Sequence, residues 1–329
     1  MSEGLPIAFA VYPILLSGIA LIWLFSFRHR NWPNWVIHVS AFGSIIAFAF
    51  MTGPWAFTSY YLRYVLLGLF AVAAVSSYFR AKRSTRHLPV RDNSRITVPS
   101  ILVFLLFAIL DALAIASHYP SGETLDVTFP LSAGTYYILQ GGTSAATNPF
   151  HALGGSKLAI DIVKLNSLGN RADGIAPLEL SAYSIFGEKL YSPCQGIVFK
   201  VRDSLPDNSP GDPDTGHPEG NYIALKCADI DILMAHLKRG SIKVEPGEEV
   251  VVGQPLAEIG NSGNTLEPHL HVDATRNGRE IGLSFDGRSL SINSVIIRKQ
   301  EVHNNAINSD SEKRRAFVAP LFTAGYGER

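Results

Sequence analysis

Four long apolar runs within the first 120 residues constrain this chain more than any other feature. They extend from Leu5 to Phe27, Val36 to Phe57, Tyr61 to Phe79 and Ile96 to Ser117. A helix of about 20 apolar residues spans the hydrocarbon core of a bilayer and satisfies all of its backbone polar groups internally. Four nearly uncharged runs argue against a buried soluble bundle. Arg63 stands near the start of the third and is expected to snorkel to the interface. Trp23, Trp32, Trp35, Trp55, Tyr60 and Tyr61 lie near run ends, as in an aromatic belt. Residues 1–120 are therefore expected to form a four-span transmembrane domain, an α-helical bundle.

Charge divides the chain at the same place. Lys and Arg total 28, matched by 28 Asp and Glu, and a net charge of zero excludes a general nucleic-acid binder. Residues 1–120 hold 9 basic and 3 acidic side chains (+6), and residues 121–329 hold 19 and 25 (−6). Arg28 and Arg30 follow the first run, and Arg80, Lys82, Arg83, Arg86, Arg91 and Arg95 separate the third from the fourth. The positive-inside rule assigns both loops to the cytoplasm and everything after Ser117 to the outside. The expected location is a bacterial inner membrane, multi-pass, with an extracytoplasmic C-terminal domain. The acidic leader Met-Ser-Glu-Gly and the length of the first run predict a retained span, not a cleaved signal. Asp111 lies about 9 Å from the outer end of the fourth run at 1.5 Å per residue, within reach of interfacial water. No other run carries a deep ionisable partner for it, so a transporter is set aside.

From about Leu125 the pattern changes to short β-rich runs separated by turn sequences. Gly134–Gln140, Leu158–Leu165, Gly196–Val201, Tyr222–Cys227, Ile230–Leu237, Val250–Ile259 and His269–Thr275 are such runs. Pro210-Gly211-Asp212, Pro246-Gly247 and Gly260-Asn261-Ser262-Gly263-Asn264 are such turns. The expectation is an all-β domain over residues 121–299, built of antiparallel sheets as a sandwich or partly open barrel. Residues 203–220 read as a long polar loop and 300–329 as a loose C-terminal tail. Glu123 is six residues past Ser117, which keeps this domain near the membrane.

Five of the ten histidines fall in this domain: His151, His217, His236, His269 and His271. His269 and His271 are two apart, so in a strand both imidazoles face one side. His236 ends the run Ile232-Leu233-Met234-Ala235 and is expected on the face of Ile232 and Met234. Asp161 interrupts the apolar run Ala159-Ile160-Asp161-Ile162-Val163, and a carboxylate buried there needs a partner. One Asp with several His makes a zinc ligand set with an open position, as catalytic zinc requires. The alternative is a set of hydrogen-bonded or surface strand histidines.

Gly260-Asn261-Ser262-Gly263-Asn264-Thr265 followed by Pro268-His269-Leu270-His271 resembles the signature of the lysostaphin-type zinc metallopeptidases, peptidoglycan endopeptidases of the duplicated hybrid motif fold. Ala159-Ile160-Asp161-Ile162, Ser192-Pro193-Cys194-Gln195-Gly196, Gly220-Asn221-Tyr222, Ala235-His236-Leu237 and Val244–Gln254 match in order. The resemblance covers about residues 135–285 and leaves the four spans outside. It implies that Asp161 and His271 are zinc ligands and that His236 and His269 stand beside the metal without ligating it. One of these two would take the proton of a water and the other would steady the oxyanion. His269 is assigned as the base.

The family's first zinc histidine usually stands four residues before the aspartate, where this chain has Lys157. A protonated Lys has only donors and cannot ligate. The nearest histidine is His151, which is similar in arrangement to a membrane-anchored branch of the family and is assigned as the third ligand. The expected function is a membrane-anchored zinc metalloendopeptidase acting on peptidoglycan peptides. Its partners would be the lipid bilayer and a possible membrane protein contacted through the four spans. The alternatives are a catalytically inactive envelope sensor or activator, which Lys157 supports, and a sugar- or carrier-type binding module, which Val244–Gln254 supports. Cys194 and Cys227 would share an oxidising compartment, either as a disulfide or as two free thiols.

Overall fold

The computed structural model describes residues 4–26, 32–84, 94–119, 122–154 and 156–299. The expected tail at 300–329 and the loop positions Arg28, Arg30, Arg86 and Arg91 lie outside the described residues. Four helices, α1 (Gly4–Ser26), α2 (Trp32–Thr52), α3 (Leu62–Ser84) and α4 (Ser94–Ser117), are each long and apolar enough to cross a membrane. The second begins at Trp32 and ends at Thr52, five residues before the predicted end at Phe57. Gly53 packs so close to the Ala49 carbonyl and Pro13 that a Cβ would not fit, and Pro54 cannot continue the helix. Trp55–Phe57 instead form a 3-10 turn. Trp55 is 1% exposed and donates from its ring to the Ala49 carbonyl, so it is not part of an aromatic belt. Arg63 is buried among Phe50, Tyr60 and Tyr64 and donates to both tyrosine hydroxyls near the start of α3.

The β domain runs β1 (Thr124–Val127), β2 (Gly134–Gln140), a short helix α5 (Pro149–Gly154) and β3 (Ile160–Leu165). It continues with β4 (Lys189–Tyr191), β5 (Gly196–Arg202), β6 (Tyr222–Cys227), β7 (Ile230–Ala235), β8 (Glu249–Val250) and β9 (Pro255–Glu258). The last elements are β10 (Leu270–Arg276), β11 (Arg279–Glu280), β12 (Gly282–Phe285), β13 (Arg288–Ser289) and β14 (Val295–Arg298). One nine-stranded sheet has the order β14-β2-β3-β10-β7-β6-β5-β8, with β11 on β10, and every pairing in it is antiparallel. A two-stranded sheet, β4-β9, and a three-stranded sheet, β1-β12-β13, complete the domain. The β1–β12 pair is parallel and departs from the expected antiparallel pattern.

Alternation along the strands sorts the residues. Leu270, Val272 and Ala274 of β10 enter a core shared with Ile160 and Ile162 of β3, Leu190 of β4 and Leu256 of β9. The intervening Asp161, His269, His271 and Asp273 line a cleft on the other face of the sheet. Cys194 and Cys227 form a disulfide between the approach to β5 and the end of β6.

The two modules are joined at one end of the helix bundle. Ser117, the last residue of α4, accepts from the backbone N–H of Thr143 and Ser144 and is hydrogen-bonded to the Thr147 hydroxyl. The loop between α2 and α3 pairs with the β domain through Tyr60 N–H to Gly169 O (2.9 Å) and Arg171 N–H to Ala56 O (3.0 Å). Gly169 has φ +79°, and a Cβ there would press on Tyr60 and Tyr61. Ala10, Ala56 and Phe57 of the helical module share one apolar cluster with Tyr137, Leu139, Val163 and Leu165.

Candidate metal centre

Asp161 is the middle of the site. It follows Ile160 in β3, pairs across the sheet with His271 and Gln140, and is 7% exposed. Three imidazoles converge on its Oδ1: His271 Nδ1 at 3.0 Å, His151 Nε2 at 3.4 Å and His269 Nε2 at 3.5 Å. Burial alone would push this carboxyl up, but His151, His269 and His271 more than offset it and hold it well below the usual carboxylate range. Burial pulls His271 down, yet its hydrogen bonds to Asp161 and Asp273 carry it up to about 10. The buried anion thus favours the protonated forms of His269 and His271 in the bare protein, whereas burial outweighs it at His151 and holds that imidazole below its ordinary value.

A metal ion fits the same position. The ligating atoms of His151, Asp161 and His271 all lie within 4.8 Å of one another. His151 sits on α5, where Asn148 precedes Pro149 at the helix start. Its Nδ1–H donates to Asn148 Oδ1 at 2.7 Å, which leaves Nε2 as the free lone pair facing Asp161. Asn148 is fully buried and is itself fixed through Nδ2 to the carbonyls of Gly142, Lys157 and Ala159. His271 is oriented from the other side, its Nε2 lying 3.2 Å from Asp273 Oδ2 while Nδ1 faces Asp161. Each histidine therefore has its second nitrogen occupied by a neighbour, as metal ligands require. Two nitrogens and a carboxylate oxygen suit zinc and leave a position open. Lys157 is exposed on the turn before β3, and only its backbone carbonyl takes part, through Asn148.

His236 and His269 complete the cluster, their ring centroids 4.7 Å apart. His236 lies one residue past the end of β7 with φ +62°, the left-handed region. This reverses its direction from the expected one. Ile232 and Met234 point into the core, and His236 turns to the cleft. Its backbone N–H donates to Glu219 O, its carbonyl accepts from Gly260, and its Nδ1–H donates to Ser262 O at 2.9 Å. The glycine-rich turn supplies that carbonyl, and Gly220 lies so close to it that no Cβ could be placed there. His269 Nδ1–H donates to Glu267 O at 2.9 Å. Both rings thus have Nδ1 bound to a backbone carbonyl, and Nε2 of His269 faces Asp161 Oδ1. Burial, then His269 and His271, hold His236 well below the usual range, whereas burial of His269 is outweighed by Asp161 and its pKa is raised.

His217 is elsewhere, on the exposed loop, paired with Asp214 at 2.8 Å. Asn148, Asp273, Arg171 and Glu267 are site residues that the sequence reasoning passed over. Asp273 carried a signal, since it continues the alternation of His269 and His271. Arg171 and Glu267 are 96 residues apart and carried none.

The cleft has a volume of about 480 Å³, and the helical module forms one wall of it. Phe9 of α1 packs at a tilt against Phe57 of the α2–α3 loop (5.5 Å) and edge-on against Phe150 of α5 (5.6 Å), next to His151.

The profile of Peptidase family M23 matches residues 181–282, so the chain carries an M23 peptidase domain. His236, His269 and His271 lie within the matched segment, and His151 and Asp161 precede it. A search of curated proteins found no match. Among solved structures, the chain is similar to the M23 metalloprotease pseudoalterin from the deep sea, with 14% identity and a TM-score of 0.33, covering 53% of this chain and 99% of that one. It is similar to the catalytic domain of the antimicrobial peptidase lysostaphin from Staphylococcus simulans (16%, TM-score 0.26, 46% and 81% covered). It is also similar to a zinc-containing peptidase from Vibrio cholerae (22%, TM-score 0.28, 47% of this chain), of whose length it spans only 39%.

Proposed function

We propose that this chain, with its M23 peptidase domain, is a membrane-anchored zinc metalloendopeptidase that hydrolyses peptide bonds in the peptides of peptidoglycan. The observation that carries the reading is the convergence of His151, His269 and His271 on the buried Asp161 Oδ1. Zinc held by His151 Nε2, Asp161 and His271 Nδ1 would lower the pKa of a water and polarise the scissile carbonyl. His269 Nε2, left as acceptor by the Nδ1–H bond to Glu267, takes the proton of the attacking water and later returns it to the leaving amine. His236, the other histidine beside the metal, would steady the developing oxyanion. The four apolar helices anchor the domain in the bilayer. The basic residues after α1 and α3 favour an extracytoplasmic site on an inner membrane, facing the wall.

The test is made on the full-length protein in lipid nanodiscs. Metal analysis is expected to give one zinc per chain. Mass spectrometry of digested wall peptides is expected to show a cut that His269→Ala abolishes with zinc retained. A folded protein that binds zinc and cuts no wall peptide would overturn the substrate assignment, and one that binds no zinc would overturn the enzyme.

A further inference from the structure

Arg171 is 1% exposed, and nothing in the metal centre explains it. It forms a bidentate pair with Glu267, Nε to Oε1 and Nη2 to Oε2, both at 2.6 Å, and Nη2 also donates to Ile175 O. Its Nη1 is buried with no hydrogen-bond partner. On the open side of the guanidinium stands Phe57, with the ring centroid 3.6 Å from the central carbon. The neighbouring backbones are joined as well, Arg171 N–H donating to Ala56 O. The carboxylate fork fixes the plane of the guanidinium at its edge, and the aromatic ring fixes its face. At the far end of this pair the Glu267 carbonyl accepts both from the Thr265 hydroxyl (2.7 Å) and from His269 Nδ1–H (2.9 Å). That carbonyl selects the His269 tautomer with Nε2 bare.

We propose that Phe57, on the loop between the second and third helices, is a positioning residue for His269, acting through Arg171 and Glu267. The helical module then does more than anchor the domain, because it holds the ring that accepts the proton. The proposal rests on the reading of His269 as the base. The ligands are held by Asn148, the β3–β10 pairing and Asp273, and Phe57 reaches them only indirectly, through Phe9 and Phe150. Disturbing Phe57 therefore alters the orientation of the base and leaves the metal in place.

The experiment uses the full-length protein in nanodiscs with Phe57→Leu, Phe57→Tyr and Arg171→Lys. Three quantities are read: zinc per chain, kcat and KM on a wall peptide, and the His269 tautomer by nitrogen NMR of histidine-labelled protein. Phe57→Leu fills the space and removes the ring face. It is expected to lower kcat about tenfold, to leave KM and zinc content within about twofold, and to mix the two His269 tautomers. Arg171→Lys loses the fork and is expected to act in the same direction. Phe57→Tyr keeps the ring face and is expected to restore both kcat and tautomer. An unchanged tautomer and kcat in Phe57→Leu would overturn the proposal, as would a parallel loss of zinc and kcat, which marks a merely structural role. If the wild type cuts no peptide, the peptidase reading falls and the tautomer still decides. Mixing in Phe57→Leu upholds the strut, and a wild-type spectrum overturns it.

Discussion

The helical module and the β domain bury their apolar side chains against different partners. Ile22, Leu102 and Ile109 are more than 60% exposed on the helices, whereas Ile138, Ile162, Met234 and Leu256 of the β domain are fully enclosed. The apolar surface that the helices leave exposed is of the kind a bilayer would cover, and the sheet is completed by itself. The α2–α3 loop is the exception. Trp55, Ala56 and Phe57 belong by sequence to the helices but are buried as deeply as the β core. The candidate metal centre lies at this seam, with its candidate ligands in one region and part of its cleft wall in the other. Ligand losses are therefore expected to act on the site alone, and changes at the seam on its alignment.

The most severe break should come from the ligands. Asp161→Asn removes the charge that three imidazoles surround, and His151→Ala removes the nitrogen that Asn148 holds ready. Each is expected to abolish zinc binding and hydrolysis while the helical circular dichroism persists, because all three ligands stand on the β side. Zinc retained at full stoichiometry in His151→Ala would remove that residue from the ligand set. His269→Ala comes next. Loss of a positioned base is expected to cost about 10²–10⁴ in kcat with zinc content unchanged, as single-turnover kinetics on loaded protein would measure.

The helices were legible because lipid demands an almost uniform apolar sequence over a fixed length. The same logic placed Trp55–Phe57 wrongly, since composition does not distinguish a lipid contact from a protein core. Asp161, His269 and His271 were legible from alternation and from the glycine-rich turn that precedes them. The turned side chain of His236 was not, because a single left-handed residue reverses the alternation without any glycine to mark it. α5 is six residues long, too short to show a helical period, so the sequence assigned no element to the segment that presents His151. The Arg171–Glu267 pair had no local pattern to reveal it. It exists only once the loop and the domain are docked.

The disulfide sharpens the comparison from the β side. It closes a loop with a sequence separation of 33 residues, and chain entropy predicts about 3–4 kcal/mol of stabilisation. Cys194→Ser with Cys227→Ser is expected to lower the melting of the β domain by that amount and to leave helix content intact. A single cooperative loss of both signals would show that the seam couples the modules more tightly than their cores suggest.

The pH dependence is smaller and has a definite sign. His271 in the metal-free protein is raised from 6.5 to about 10. Its protonation therefore stabilises the metal-free fold fully below pH 6.5, and that contribution is lost as pH rises through 10. Zinc must displace this proton, so apparent zinc affinity is expected to rise about tenfold per pH unit from neutrality upward. Competition against a chelator of known affinity measures it, and a flat profile would show that His271 is already neutral.

Lys157→Ala should have the smallest effect of all, and this follows from how the two modules share the site. The lysine occupies the position where the lysostaphin-type pattern places a ligand, and its side chain is exposed on the turn before β3. What the site uses there is the backbone carbonyl, which helps to hold Asn148, and alanine keeps that carbonyl. In the proposed site the nitrogen that the usual pattern would supply from this turn would come instead from His151 on α5, whose Phe150 packs against Phe9 of the first helix. Zinc content is thus expected to be unchanged and stability to shift by no more than about 0.5 kcal/mol, as for an ordinary surface substitution. A loss of zinc in Lys157→Ala would mean that the turn, and not α5, presents the first ligand. The converse variant, Lys157→His with His151→Ala, separates the two possibilities directly. If the imidazole at 157 restores zinc, the turn reaches Asp161 and the displacement to α5 is a matter of residue identity. If it does not, the position of the ligand depends on α5, the element packed against the first helix.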